Sequence, residues 1–339
     1  MRPILKQPWL SVGLFLISLP AAAHHSSAIY DQERDIRLEG VVTKFEWVAP
    51  HVYIQVETKN DAGESVVWII EARPPSPMSR LGWSRRSLAP GERVTVAANP
   101  ARNANRKMAL GQSVLKEDGT LLSILSISTE GDAAASPTSF VADDVSGHWE
   151  TRSGREVLLP FRQPQTSWSL TDRGLAAVES YDEHFMNPNN DCVPELAPQA
   201  MIYPGVKSIE IGEEVTLIRL DESLRTVHMN LDSHDGTPYT QQGHSIGWWE
   251  DDVLVVDTVH FTEHRIGHAR GLPSSRQKHL IERFELSPDR SGLTYTFWDE
   301  DPEYLAEPMM GTLDLMYRPD LPFVSLPCDP EIARRYLEE

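Results

Sequence analysis

The sequence predicts an all-β protein with minor helix: an OB-like five-stranded barrel, then a larger antiparallel lipocalin-like barrel or sandwich. Three observations lead there. Short apolar–polar alternations bounded by turn residues recur through both halves of the chain. In the first half they run as three strands, a short helix and two strands, the order of an OB barrel. A small, polar stretch without aromatics, Gly131 to Ser139, then separates them from a second series of strands.

The chain opens with Arg2 and Lys6, an apolar run from Leu10 to Leu19, and Ala21-Ala22-Ala23. This is the pattern of a signal peptide over residues 1–23, and the run is too short to span a bilayer. Cleavage after Ala23 leaves His24 first, with an α-amine (pKa about 7.7–8.0) and an imidazole that can chelate one metal ion. Cleavage one residue earlier leaves Ala-His-His, with His25 third, which can wrap a metal in a planar nitrogen set. Both frames favour late transition metals, copper first. The plainer alternative is a solvated chain end.

An OB-like domain is expected over 24–128. Ile36 to Trp47 is rich in β-branched and aromatic residues, and Val52, Ile54 and Val56 alternate with Tyr53, Gln55 and Glu57. Asn60 to Gly63 is turn chemistry, and Ser65 to Ile70 returns as partner. Prolines at 74, 75 and 77 bar a further strand, so Met78 to Trp83 reads as a short helix. Arg93 to Ala98 and Met108 to Leu115 complete the set. His51 falls where the first strand turns into the second, at the rim. With His24 and His25 it makes a candidate copper site, and added to the amine and ring of His24 it would give a T shape like the histidine brace of copper oxygenases and copper chaperones. The alternative fate is a ring N–H donated to a turn carbonyl. Tyr30, Glu46 and Tyr53 are candidate neighbours.

A linker over 129–142 leads to a second domain over 143–339, opened by Gly147-His148-Trp149. Leu170 to Tyr181 reads as a helix capped by Thr171 or Asp172. Asn187 to Pro194 reads as a loop. Strands are expected at Val215–Leu220, Arg225–Met229, Ser245–Trp249, Val253–Thr258, His279–Leu286, Leu293–Trp298 and Met310–Tyr317. Glu250-Asp251-Asp252 makes a tight hairpin connection.

Two resemblances overlie this reading. Ala23-His24-His25-Ser26, Gly40-Val41-Val42, Trp47-Val48-Ala49-Pro50-His51 and Gly82-Trp83 resemble a family of exported bacterial proteins known as a domain of unknown function. That family usually has Asn where this chain has Ala49. The resemblance covers most of residues 23–115 and implies no reaction. Gly243-His244-Ser245-Ile246-Gly247-Trp248-Trp249-Glu250, Val253 to Thr258 and Glu282-Arg283-Phe284 are similar to a second group, secreted all-β proteins without assigned activity. Cys192 with Pro194, and Cys328 followed by Glu331, match it too.

The formal net charge of -19 argues against a nucleic-acid binder, which needs a basic face, and against docking on anionic membranes. No second apolar segment approaches spanning length, so a periplasmic or secreted protein without stable membrane insertion is expected. Cys192 and Cys328 are then expected to pair as a disulfide, the alternative of two free thiols for metal or redox chemistry being disfavoured by the lack of a Cys-x-x-Cys motif. The entropy model values such a bridge at about 4–5 kcal/mol.

Four features of the second half bear chemistry. His260, His264 and His268, with Glu263, recur at helical spacing and form a secondary metal candidate, although Thr258, Val259, Phe261 and Thr262 favour a loop. Asp232, His234 and Asp235 form a polar turn before Gly236. His244 and Ser245 with Asp257 invite a hydrolase reading, but the strained Gly-x-Ser-x-Gly elbow is missing, and no catalytic residue is assigned. Of Glu282 and Arg283, on opposite sheet faces, one is expected buried and paired. Trp149 and Trp168 belong to this half, and Trp248, Trp249 and Trp298 with Asp257 are candidate ligand-lining residues. The expected function is a soluble binding protein holding copper through its mature N-terminus and His51. The alternative is a carrier of, or enzyme acting on, a small apolar molecule in the C-terminal barrel. The expected partner is thus a metal ion or an apolar ligand.

Overall fold

The structure, a computed structural model, describes residues 29–125, 140–151, 168–202, 205–220, 223–269, 271–325 and 328–334. The expected signal segment, His24, His25 and most of the expected linker lie outside the described residues.

The first barrel is built from β1 (Ile36–Glu46), β2 (Tyr53–Lys59), β3 (Ser65–Glu71), β4 (Arg93–Pro100) and β5 (Met108–Lys116). A short β6 (Leu121–Ser123), not foreseen, extends the sheet beyond β5. The sheet order is β3-β2-β1-β4-β5-β6, and parallel pairing of β3 with β5 closes five strands into a barrel. Gly40 sits where β1 presses on β2: a Cβ there would lie 2.3 Å from the Glu57 carbonyl oxygen. That explains the glycine of the Gly-x-Val strand. The helix comes after β3 as expected, but α1 runs over Pro75–Arg80 rather than Met78 to Trp83. Proline suits the first turn of a helix, so the prolines start it instead of delaying it. Met78 and Trp83 are both buried among Val42, Ile54, Ile70 and Val96.

The second barrel closes nine strands: β7 (Gly147–Thr151), β8 (Val206–Glu210), β9 (Val215–Leu220), β10 (Ser223–His228), β11 (His244–Glu250), β12 (Val253–Val259), β15 (His279–Leu286), β16 (Gly292–Glu300) and β17 (Met309–Tyr317). A separate hairpin, β13 (His264–Ala269) with β14 (Leu272–Ser274), occupies the stretch expected to be a loop. Every pairing in the barrel is antiparallel except one. β10 and β11 run parallel, with Val227 opposite Ser245. Parallel neighbours cannot be joined by a tight turn, so residues 229–243 form a long crossover. Asp251, at φ 52°, makes the tight turn between β11 and β12.

Helix α2 (Asp172–Ser180) is capped by Thr171, whose hydroxyl accepts from the Gly174 amide at 3.1 Å. The disulfide Cys192–Cys328 is formed. It pins the C-terminal segment, which makes a parallel bridge to Ala49 and packs Ile332 against Tyr30, Tyr53 and Met108. Arg265 and Arg334 both bind Asp191 beside the disulfide. Between the barrels, Arg80 of α1 and Arg318 share the carboxylate of Glu150 on β7.

Candidate functional site

His51 stands at the rim between β1 and β2, following Ala49-Pro50. Its Nδ1 donates to the Ala72 carbonyl at 3.0 Å, the turn-carbonyl contact weighed for it above. That bond leaves the lone pair on Nε2, the way metal-ligating histidines are commonly oriented. The side chain is 29% exposed, so Nε2 is not sealed in the core. Glu71, missed at the sequence level, lies 3.4 Å from the same Nδ1 and accepts the Tyr30 hydroxyl at 2.6 Å. Burial, and then the charge of Glu71, push the Tyr30 phenol well above its ordinary pKa, so it stays a neutral donor. Residues 29–31 are fixed to the barrel by the Ile29 carbonyl to Arg102 N and Asp31 N to the Pro100 carbonyl, each 2.8 Å. Of the other expected neighbours, Glu46 pairs with Lys44 and Tyr53 is buried beside Tyr30.

The secondary metal candidates are not brought together. His264 and His268 lie on a strand, and each is buried with its own partners. His264 Nε2 donates to the Pro194 carbonyl at 3.1 Å while Nδ1 accepts from Ile266 N. Burial, and then the nearby Lys278 charge, lower its pKa to about 4. His268 is fully buried between Asp299 (2.6 Å) and Asp301 (3.0 Å). Buried Lys278 donates to the Ala197 and Gly267 carbonyls in the same network. Glu263 is exposed, and His260 contacts Thr237 instead. Among the described residues no group of three or more His, Cys, Asp or Glu side chains is arranged to hold a metal ion.

Inside the second barrel Glu282 is buried and takes a two-pronged bond from Arg225 (2.9 and 2.6 Å) plus one from the Tyr295 hydroxyl (2.8 Å). Burial opposes the Arg225 charge, but Glu282 outweighs it and holds the pKa up. Ser245 accepts from Arg225 and shares a hydrogen bond with Thr258, so its hydroxyl braces the interior and is not a poised nucleophile. Arg283, on the other face, pairs with Glu250. Trp149 is fully buried, whereas Trp248, Trp249 and Trp298 are exposed. The candidate lining tryptophans therefore do not line the interior, which side chains fill.

The outer wall carries the larger surprise. His244 of β11, Asp257 of β12 and His279 of β15 face outward, and the crossover lays His234 over them. His279 Nε2 donates to Asp257 Oδ1 at 2.8 Å. His234 shares a hydrogen bond with His244, Nδ1 to Nδ1 at 2.8 Å, and its Nε2 lies 3.8 Å from Asp257 Oδ2. His228 stacks on His244, and His260 meets His234 edge-on. The hydrogen bond to Asp257 raises the His279 pKa. Burial opposes the Asp257 charge, yet His279 and His234 bring its pKa below the usual value. Burial lowers His234, and burial with the neighbouring imidazoles lowers His244. Two imidazoles held below their ordinary pKa thus sit beside the hydrogen-bonded His279–Asp257 pair. Strand register extends this cluster: Ile246, Asp257, Ile281, Trp298 and Met310 form one row across five strands. Ile281, Trp298 and Met310 line an open cleft of about 410 Å³, with Thr296, Thr312 and Arg283. Sequence reasoning singled out Asp257, Trp298 and the His234 turn but could not place them on one wall.

Residues 13–110 match DUF6152, a family of unknown function. The match overlies the first barrel through part of β5 and agrees with the resemblance carried by the Trp47–His51 turn. The nine-stranded barrel has no assigned family. No curated protein and no solved structure matches the chain.

Proposed function

We propose that the chain is an extracytoplasmic binding protein that holds one copper ion at the rim of its first barrel. The ligands are His51 Nε2 and nitrogens of His24 and His25, the latter two outside the described residues. One observation carries this reading: the His51 ring is turned by the Ala72 carbonyl so that Nε2 is its acceptor nitrogen. Two more support it. Ile29 is anchored beside Tyr30, whose hydroxyl reaches the same Glu71 that lies next to His51. His25 lies four residue steps before that anchor, a reach of at most about 14 Å. The Cys192–Cys328 disulfide accords with an oxidising compartment, and no described helix is long and apolar enough to cross a membrane.

The test begins with mass spectrometry of the mature N-terminus, then follows Cu(II) binding by electron paramagnetic resonance. One equivalent should bind with nitrogen hyperfine structure, and His51→Ala should weaken it at least tenfold while His234→Ala leaves it intact. A mature chain that begins beyond His25, or a His51→Ala protein with unchanged copper affinity, ends the proposal.

A further inference from the structure

The cleft and the histidine cluster share one wall of the second barrel. Asp257 is paired directly with Ile281, and Ile281 with Trp298. Two strand spacings, about 10 Å, thus separate the carboxylate's strand from that of the exposed indole. The indole is held in place, because Trp298 Nε1 donates to Glu300 at 2.6 Å. At the polar end, His234 Nε2 and Asp257 Oδ2 stand 3.8 Å apart. That is too long for a direct hydrogen bond. It is a span that one oxygen bridges at about 2.8 Å to each side.

We propose that this wall binds an uncharged, flat, largely apolar molecule bearing one hydroxyl group. The body lies on Trp298, Ile281 and Met310, and the hydroxyl bridges the imidazole of His234 and the carboxylate of Asp257. The hydroxyl donates to Asp257 Oδ2 and accepts from His234 Nε2–H. The charges on the wall select this class. Asp257 already accepts from His279, and Arg283 is paired with Glu250, so each charged group at the two ends is engaged within the wall and not held out to an ionic ligand. The chain as a whole, at -19, repels anions. A hydrocarbon without a hydroxyl would leave the polar gap unfilled. The inference is independent of the copper reading, which concerns the other barrel.

Metal-free full-length protein titrated calorimetrically with 2-naphthol tests it, with naphthalene and 2-naphthoate as comparison probes. Saturable 2-naphthol binding is expected, at least about tenfold tighter than either comparison probe. Trp298→Ala should weaken it about tenfold by removing the aromatic platform. Asp257→Asn and His234→Ala should weaken 2-naphthol while leaving naphthalene unchanged. Circular dichroism of each variant, all altered at exposed or partly exposed positions, verifies the fold. Equal affinity for naphthalene and 2-naphthol, unchanged binding in folded Asp257→Asn, or no saturation up to about 1 mM would overturn the proposal.

Discussion

The two barrels solve the same closure problem with different interiors. Five strands enclose a space that aliphatic side chains fill: Val42, Ile54, Val56, Ile70, Val96 and Val114 are all buried there. Nine strands enclose a wider one. There Trp149, Phe284 and Tyr295 share the interior with a buried Arg225–Glu282 pair. The narrow barrel has a loop histidine at its rim, His51, oriented by the Ala72 carbonyl. The wide barrel, full inside, buries one ion pair and gathers a second set of ionisable groups, His234, His244, Asp257 and His279, on its outer wall. Strand number thus determines not only the core but where on each barrel polar groups can gather.

The sharpest way to break this contrast is to remove one member of the buried pair. Glu282→Ala leaves Arg225 charged and unpaired, and should cost about 3–5 kcal/mol in chemical denaturation. The double variant Arg225→Met/Glu282→Leu should recover most of that loss. Ile54→Ala in the first barrel should cost about 2–5 kcal/mol through the cavity it leaves, with no such rescue available.

Opening the disulfide comes next. Cys192→Ser/Cys328→Ser should lose about 2–4 kcal/mol. Because Cys328 also bridges to Ala49, hydrogen exchange should quicken at the rim of the first barrel as well as in the second. Exchange confined to the second barrel would show that the clamp does not couple them.

Acid separates the barrels further. Buried His264 has a pKa lowered to about 4 against 6.5 unfolded. The unfolded chain therefore binds more protons, and the contribution of His264, whole above pH 6.5, is lost as pH falls from 6.5 towards 4. The loss is up to about 3 kcal/mol. His264→Gln should flatten that part of the stability–pH curve, and an unchanged slope would refute the assignment. The smallest effect is local: Thr171→Ala should cost about 1 kcal/mol by uncapping α2, read from thermal unfolding.

Much of this architecture could be read from local pattern. The strands Val215–Leu220 and His279–Leu286 fall at their expected bounds, and the OB order and Thr171 cap follow from alternation and turn chemistry. What could not be read depends on closure. Nothing in residues 229–243 announces that β10 and β11 run parallel, so the position of His234 over Asp257 was hidden. Alternation tells that Trp298 and Phe297 face opposite ways, but not which way is inward. β7 and β8 are too short for alternation to mark them as strands, although β7 carries Trp149 and the Glu150 that Arg80 and Arg318 share. The helical spacing of His260, His264 and His268 was coincidental, since a strand carries the last two to separate buried partners.

The bridge from Cys328 to Ala49 has an effect on the order of assembly. A ribosome delivers Cys328 long after Ala49, once the strands of the second barrel have been made. Until then the residues flanking His51 lack the segment that lies against them in the finished molecule. The barrel made first is completed last.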